Sequence, residues 1–514
     1  MDSRCLLSVF SIINTVLSQS LPNGQLGCFV HLGPESDRKT DVVIHNFDAS
    51  TSKSHIMPFK QKVDINNKHD PQFTAYHPFE IGNAIPHSIA AMDMNIDGIA
   101  DLFVVSKKPN VDYFEMNVYL NQEDPNQFHI ASESLASTIQ LNDSHALVID
   151  ANGDFKPDVF GKNHAGDQAE GFWFGMKSDQ FVPLGVDAGN IEMSSVSFVD
   201  MDQDCRADLV YMTKDKQLRM ISNTNFQDAN SRSATTIATF LETDAPQTRL
   251  FFADVNKDGA MDVIVASNNN ERAKLFVYVQ RHRKPFKDIC DDELMPVEWD
   301  DGTDSKLKAS IEVTLDSQGY TFKEHLPIII QDINMDSKVN LVAVLENSAG
   351  HQKVFVTSLS DVTHSADAEN MDSISSKFNV GGKKIKDLAF FHSGQFPLGL
   401  HFVVQFEDNS FEWVNLQTQL ESENYGFLSV LPLNNAKKSM KRYGGAMPGV
   451  TVKAYFRSRK GDPIYLTAGN LYQSNGRHYL LPFVPFGLGE PESYVEKCYI
   501  AYSIPLSVQE KHVF

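Results

Sequence analysis

A chain of 514 residues with a formal net charge of −21 lacks the basic face that nucleic-acid phosphates require, so no nucleic-acid partner is expected. It is too long for one ordinary core, though not for a closed array of repeated sheets. Beyond the first twenty residues no apolar run approaches the length that spans a bilayer.

Residues 1–20 read as a secretory signal. Arg4 lies in a short n-region, Leu6 to Val16 is mostly apolar, and Ser18-Gln-Ser20 supplies small residues for cleavage. The chain as given is expected to be released rather than anchored. Loss of Cys5 with the signal leaves Cys28, Cys205, Cys290 and Cys498, enough for two disulfides in three possible connectivities. No Cys-x-x-Cys supports zinc.

A nine-residue pattern then organises the chain. Its four complete copies are Asp93-x-Asn95-x-Asp97 with Asp101, Asp150-x-Asn152-x-Asp154 with Asp158, Asp200-x-Asp202-x-Asp204 with Asp208, and Asp254-x-Asn256-x-Asp258 with Asp262. Alternating oxygen side chains at positions 1, 3, 5 and 9, with a carbonyl at position 7, suit a hard cation such as Ca²⁺. Position 6 favours glycine for the sharp turn; Gly98 and Gly259 comply, Phe155 and Cys205 do not. The competing reading is a set of metal-free turns held by their own side-chain hydrogen bonds. Short β-branched or aromatic runs flank each copy, as in Ser197-Phe-Val before Asp200 and Leu209-Val-Tyr after Asp208. A cation-binding turn between strands, repeated at this interval, is the pattern of a propeller blade.

Weaker copies extend the series. Asp332-x-Asn334-x-Asp336 with Asn340 keeps the frame but loses the last acid. Gly33 and Glu35 stand in the leading positions of the loop that ends at Asp41, and His392 to Leu400 keeps only the flanking strands. Seven copies predict seven blades, all-β, over residues 21–430. The long interval between 262 and 340 carries Arg281-His-Arg-Lys284 and an acidic stretch to Asp304, read as an exposed insertion within a blade and a candidate partner contact. Asn142-Asp-Ser144 is a glycosylation sequon.

After about residue 430 the repeat stops. Strands are expected at Val450–Phe456, from Ile464, at Tyr479–Val484 and at Val495–Ser503, forming a small β-sandwich over 431–514. Lys460-Gly461-Asp462 matches a basic-Gly-Asp adhesion tripeptide but reads first as a hairpin turn.

Together the repeats are similar to the FG-GAP/VCBS repeats of integrin α-chain propellers. With Tyr443-Gly-Gly-Ala-Met-Pro-Gly449 and Pro485-Phe-Gly-Leu-Gly489 in the tail, the whole chain resembles the T-cell immunomodulatory protein (Linkin) family. The resemblance implies a seven-bladed propeller, a C2-like sandwich, and a cell-surface glycoprotein that meets protein partners in adhesion or immune modulation. Family members usually end in a transmembrane helix; none is expected within the 514 residues as given. Metal-ligand roles carry over to the four complete loops and not to the first and last repeats. A purely structural surface glycoprotein is the alternative. An enzyme is not expected, because no Gly-x-Ser-x-Gly, His-Glu-x-x-His or phosphate loop is present, and paired ligands in single loops account for the carboxylates better than a glycosidase pair.

Overall fold

The computed structural model describes residues 24–502 apart from segments in the connections, the longest being 33–39, 63–71, 131–138, 224–233, 240–248, 282–296, 300–310, 393–399, 417–425, 435–445 and 470–480. The signal, most of the 281–304 insertion, Cys205, Cys290, and the loops of the first and last repeats therefore lie outside the described residues.

The chain is all-β, and among the described residues Asp372–Ser375 is its one α-helical turn. Antiparallel meanders follow one another along the sequence. The first runs through Gln25–Val30, Asp41–Asp48, Lys53–Lys62 and Gln72–Ala75. The second (Ile85–Met92 to Gln127–Ile130) and third (Gln140–Ile149 to Phe181–Gly185) join through Gln140 and Leu141, which pair with Glu115 and Phe114. Further meanders begin at Ser197–Val199, Arg249–Ala253, Ile328–Gln331 and Ile385–His392.

Burial explains the strand sequences. The second strands, such as Asp101–Lys107, Asp208–Met212 and Asn340–Glu346, are nearly continuous apolar runs buried on both faces. Each is covered by a neighbouring sheet on either side, so alternation has no solvent face to serve. Lys53–Lys62, the third strand of its meander, alternates more nearly.

The cores link successive meanders. One cluster joins Val43 and Ile56 of the first to Leu102 and Val104 of the second, and another joins Ile264 and Leu275 to Leu341 and Phe355. The last meander returns to the first. Phe29 and Phe73 pack edge-on against Phe391, and the Gln405 side chain bonds both Leu26 N and Gly24 O.

Two small sheets follow. Gly426–Val430 pairs with Val484–Gly489, and Thr451–Arg457 lies between Pro463–Gly469 and Lys497–Ala501. The expected strand at Tyr479–Val484 thus falls a few residues later. Pro485 is accommodated there because, among the described residues, its strand pairs along one edge alone, and the other edge needs no donor. Val452, Phe456, Val484 and Phe486 share a core with Met92, Met94 and Phe103 of the second meander, so this C-terminal unit is packed on the array. Cys28 is buried and Cys498 half-buried, both as free thiols, so the structure pairs neither in a disulfide. No helix among the described residues is long and apolar enough to cross a membrane.

Candidate metal loops and their cap

All five acidic loops occupy the same place, between the first and second strands of their meanders. Position 1 follows the last residue of one strand, and position 9 (Asp101, Asp158, Asp208, Asp262, Asn340) opens the next. The backbone conformation also repeats. Position 4 is left-handed in every loop, at Ile96, Gly153, Gln203, Lys257 and Met335, with φ between 55° and 77°. Position 6 is left-handed at Gly98, Phe155, Gly259 and Ser337, with φ from 64° to 87°. Phe155 and Ser337 therefore adopt the conformation that glycine takes in the other loops, at a steric cost that something else must offset.

Side-chain oxygens hold this shape. The Oδ2 atoms of Asp93, Asp150, Asp254 and Asp332 accept the N–H of position 6 at 2.7–3.0 Å. Asn95, Asn152, Asp202 and Asn256 accept from position 5, and Asp97, Asp154, Asp204, Asp258 and Asp336 from position 7. Position 9 accepts from position 2 in all five loops, Asn340 replacing the aspartates in the last. Asp101, Asp208 and Asp262 also bind a backbone N–H at the end of the third strand, at Asn121, Asn223 and Gln280. Position 9 is thus a staple between loop and sheet as well as a candidate ligand. Asp41 does the same in the first meander, accepting from Leu32 and Gln61.

Buried negative charge accumulates in these loops. Burial, then the neighbouring carboxylates, raises Asp202 to about 8; Asp204 is raised to about 6, with Arg206 opposing. Asp332 is raised to about 7 by burial and Asp336. Asp101, Asp150, Asp208, Asp254 and Asp262 are held well above the usual carboxylate range, burial again leading. Such groups are relieved by a proton or by a cation.

The donor sets fit a cation to different degrees. Asp200, Asp202 and Asp208 are all buried and bring one oxygen each within 4.8 Å of one another, the one such cluster among the described residues. Asp204 turns instead to Arg206, its Oδ2 receiving Nε at 2.9 Å. Buried oxygens without a hydrogen bond remain on Asp200, on Asp332 (Oδ1) and on Asn334 (Oδ1). In the first and fourth loops Asn95 and Asn256 donate their amides to Asp97 and Asp258, which ties position 3 to position 5.

The C-terminal unit lands on these loops, which the sequence reading did not anticipate. Asn434 Nδ2 donates to Asp93 Oδ2 at 3.0 Å, and Thr467 N to Asp254 Oδ2 at 3.1 Å. Thr467 Oγ1 donates to Gly259 O, and Tyr465 N to Lys257 O. Lys453 Nζ lies 2.9 Å from Asp200 Oδ2. Gly487 sits so close to the fifth loop that a Cβ there would collide with Asp332 Oδ2 and the Met335 backbone. The Phe155 ring meets Tyr502 at 5.9 Å. A mid-strand lysine in Thr451-Val-Lys-Ala-Tyr-Phe was the available signal, since a buried strand carries a lysine only toward a partner.

Beyond the loops, Asn142 is exposed on its strand, with its amide donating to Asn163 O and its Oδ1 2.7 Å from His164 Nδ1. Lys460-Gly461-Asp462 is a hairpin turn, with Gly461 at φ 84° and Ser458 N donating to Asp462 O.

A family model described as an FG-GAP-like repeat matches residues 200–265, the stretch from the third loop to just past the fourth. A T-cell immunomodulatory protein homolog of Plasmodium yoelii yoelii is 22% identical, covering 90% of this chain and 76% of the relative. The T-cell immunomodulatory protein of Homo sapiens is 22% identical, covering 95% and 79%, and the Plasmodium falciparum homolog 21%, covering 90% and 74%. The family resemblance read from the sequence is borne out by these matches. A crystal structure of a fungal lectin from Aleuria aurantia, a six-bladed β-propeller described with a fucose recognition mode, aligns at 10% identity over 66% of this chain and 93% of its own, with a TM-score of 0.29. That likeness is too slight to carry any argument.

Proposed function

We propose that this chain is an extracellular or cell-surface calcium-binding protein-interaction module, a seven-bladed FG-GAP propeller capped by a C-terminal β-sandwich, acting in adhesion or immune modulation. The observation that carries the calcium reading is the repetition of one loop geometry. Five loops share the left-handed position 4, four of them also show a left-handed position 6, and burial destabilises their carboxylates in the charged form. Calcium in the first, second and fourth loops would be held by Asp93, Asn95, Asp97 and Asp101, by Asp150, Asn152, Asp154 and Asp158, and by Asp254, Asn256, Asp258 and Asp262. The third loop offers Asp200, Asp202 and Asp208, and the fifth a weaker set in Asp332, Asn334 and Asp336. Bound ions would stiffen the connections between first and second strands. The ends of the meanders opposite these loops would then serve as the face for a protein partner.

The secretory route rests on the signal-like composition of residues 1–20, and Asn142 is the proposed glycan acceptor. No enzymatic role is proposed. The test is thermal unfolding of the purified chain with chelator and with millimolar calcium. A melting temperature that rises with calcium supports the reading; an unchanged one refutes it.

A further inference from the structure

The third loop differs from its neighbours in what meets its first carboxylate. In the other loops the Oδ2 of position 1 accepts a backbone N–H from position 6. Neither oxygen of Asp200 accepts a hydrogen bond, and the group facing its Oδ2 is the Lys453 ammonium at 2.9 Å. Both side chains are almost wholly enclosed, 1% exposed for Asp200 and 5% for Lys453. Lys453 stands on the middle strand of a three-stranded sheet, paired through Thr467 on one side and Tyr499 on the other. Its backbone is thereby fixed, and its ammonium meets Asp200, which clusters with Asp202 and Asp208.

We propose that Lys453 is the third loop's own cation, and that it competes with a divalent ion for the Asp200–Asp202–Asp208 cluster. The contact between the C-terminal unit and this loop is then calcium-sensitive, unlike the contacts made by Asn434 and Thr467. Those two bring neutral donors to aspartates and add no positive charge. Lys453 brings a full charge to a carboxylate that a calcium ion would share, and two cations on one buried carboxylate repel strongly. Calcium bound to the cluster displaces the ammonium, and the strand Thr451–Arg457 loses its tie to the loop. The inference rests on the calcium reading above and assigns to this site a built-in competitor.

The test is a calorimetric calcium titration of the full chain beside Lys453→Met and Lys453→Gln, the second retaining a donor should the first fold poorly. Either variant is expected to bind calcium at one site roughly tenfold or more tightly than the unaltered chain. Adding Asp202→Asn to the variant should abolish that gain. In the unaltered chain, amide exchange over residues 451–457 should quicken on calcium addition, and in the variants it should not respond. Equal affinities, with calcium-insensitive exchange over 451–457 while calcium still binds elsewhere, would overturn the competition and leave the calcium reading standing. Absence of calcium binding in every protein would overturn both.

Discussion

The first and third loops are built on the same nine-residue frame and neutralise it by different means. Around Asp93 the charge is met by backbone dipoles, from Asp97 N and Gly98 N, and by the Asn434 amide. Around Asp200 it is met by side-chain cations: Lys453 at its own carboxylate and Arg206 at Asp204. Backbone dipoles satisfy hydrogen-bonding capacity but leave net negative charge, so the first loop keeps its demand for an external cation. Side-chain cations answer that demand from within. One motif can thus yield a loop whose charge is met by dipoles and a loop that carries its own cations.

The two loops should part most widely at their first carboxylate. Asp200→Asn leaves the buried Lys453 ammonium without its counter-ion, and loss of one partner from a buried pair costs about 3–5 kcal/mol. Urea denaturation in chelator should show a loss of that size, whereas Asp93→Asn, whose partners are neutral, should lose clearly less. Equal losses would mean that the two loops are neutralised alike.

Calcium-dependent stability gives the next largest effect. At calcium about 100 times its dissociation constant, one site adds about 2.7 kcal/mol. Asp97→Ala or Asp258→Ala should remove an increment of that order, visible as a smaller calcium-induced rise in melting temperature. Asp336→Ala should remove less, because its loop carries Asn340 where the others carry an acid. A calcium titration in which the fifth loop is the tightest site contradicts this ranking.

Gly487→Ala probes the cap itself. Its Cβ would meet the Met335 backbone, which cannot step aside as a flexible side chain could, and overpacking of this kind costs about 1–3 kcal/mol. Faster proteolysis of the C-terminal unit with the meanders intact is the expected readout.

Protonation couples the third loop to pH. Asp204 and Asp202 are raised to about 6 and about 8, above their unfolded values near 4. A raised carboxyl favours the folded state while protonated, so in chelator this contribution is complete below about pH 4 and is lost as pH rises through 6 to 8. Calcium needs the deprotonated forms, so its stabilising effect should grow over that same window. Melts across pH in chelator and in calcium check both signs.

The strands were legible in the sequence because doubly covered second strands must be continuous apolar runs, as Leu102-Phe-Val-Val and Leu341-Val-Ala-Val-Leu are. The loops were legible because oxygen side chains at fixed offsets leave a local signature. The left-handed position 4 was not, since Ile96, Lys257 and Met335 are residues that sterics disfavour there, and only the surrounding hydrogen bonds impose the conformation. Nor was the docking of the cap. Asn434 and Asp93 are 341 residues apart, and Thr467 and Asp254 213, and no local pattern encodes such pairs. Lys453 left a faint trace as the one charge inside an apolar strand, without revealing which acid it would meet.

Loops that hold calcium once folded must bind a countable number of ions. Equilibrium dialysis of the folded full chain against labelled calcium should give saturable binding of several ions per chain, falling stepwise in Asp97→Ala and again in the Asp97→Ala/Asp258→Ala pair. Retention of no more calcium than an unfolded control would contradict the account.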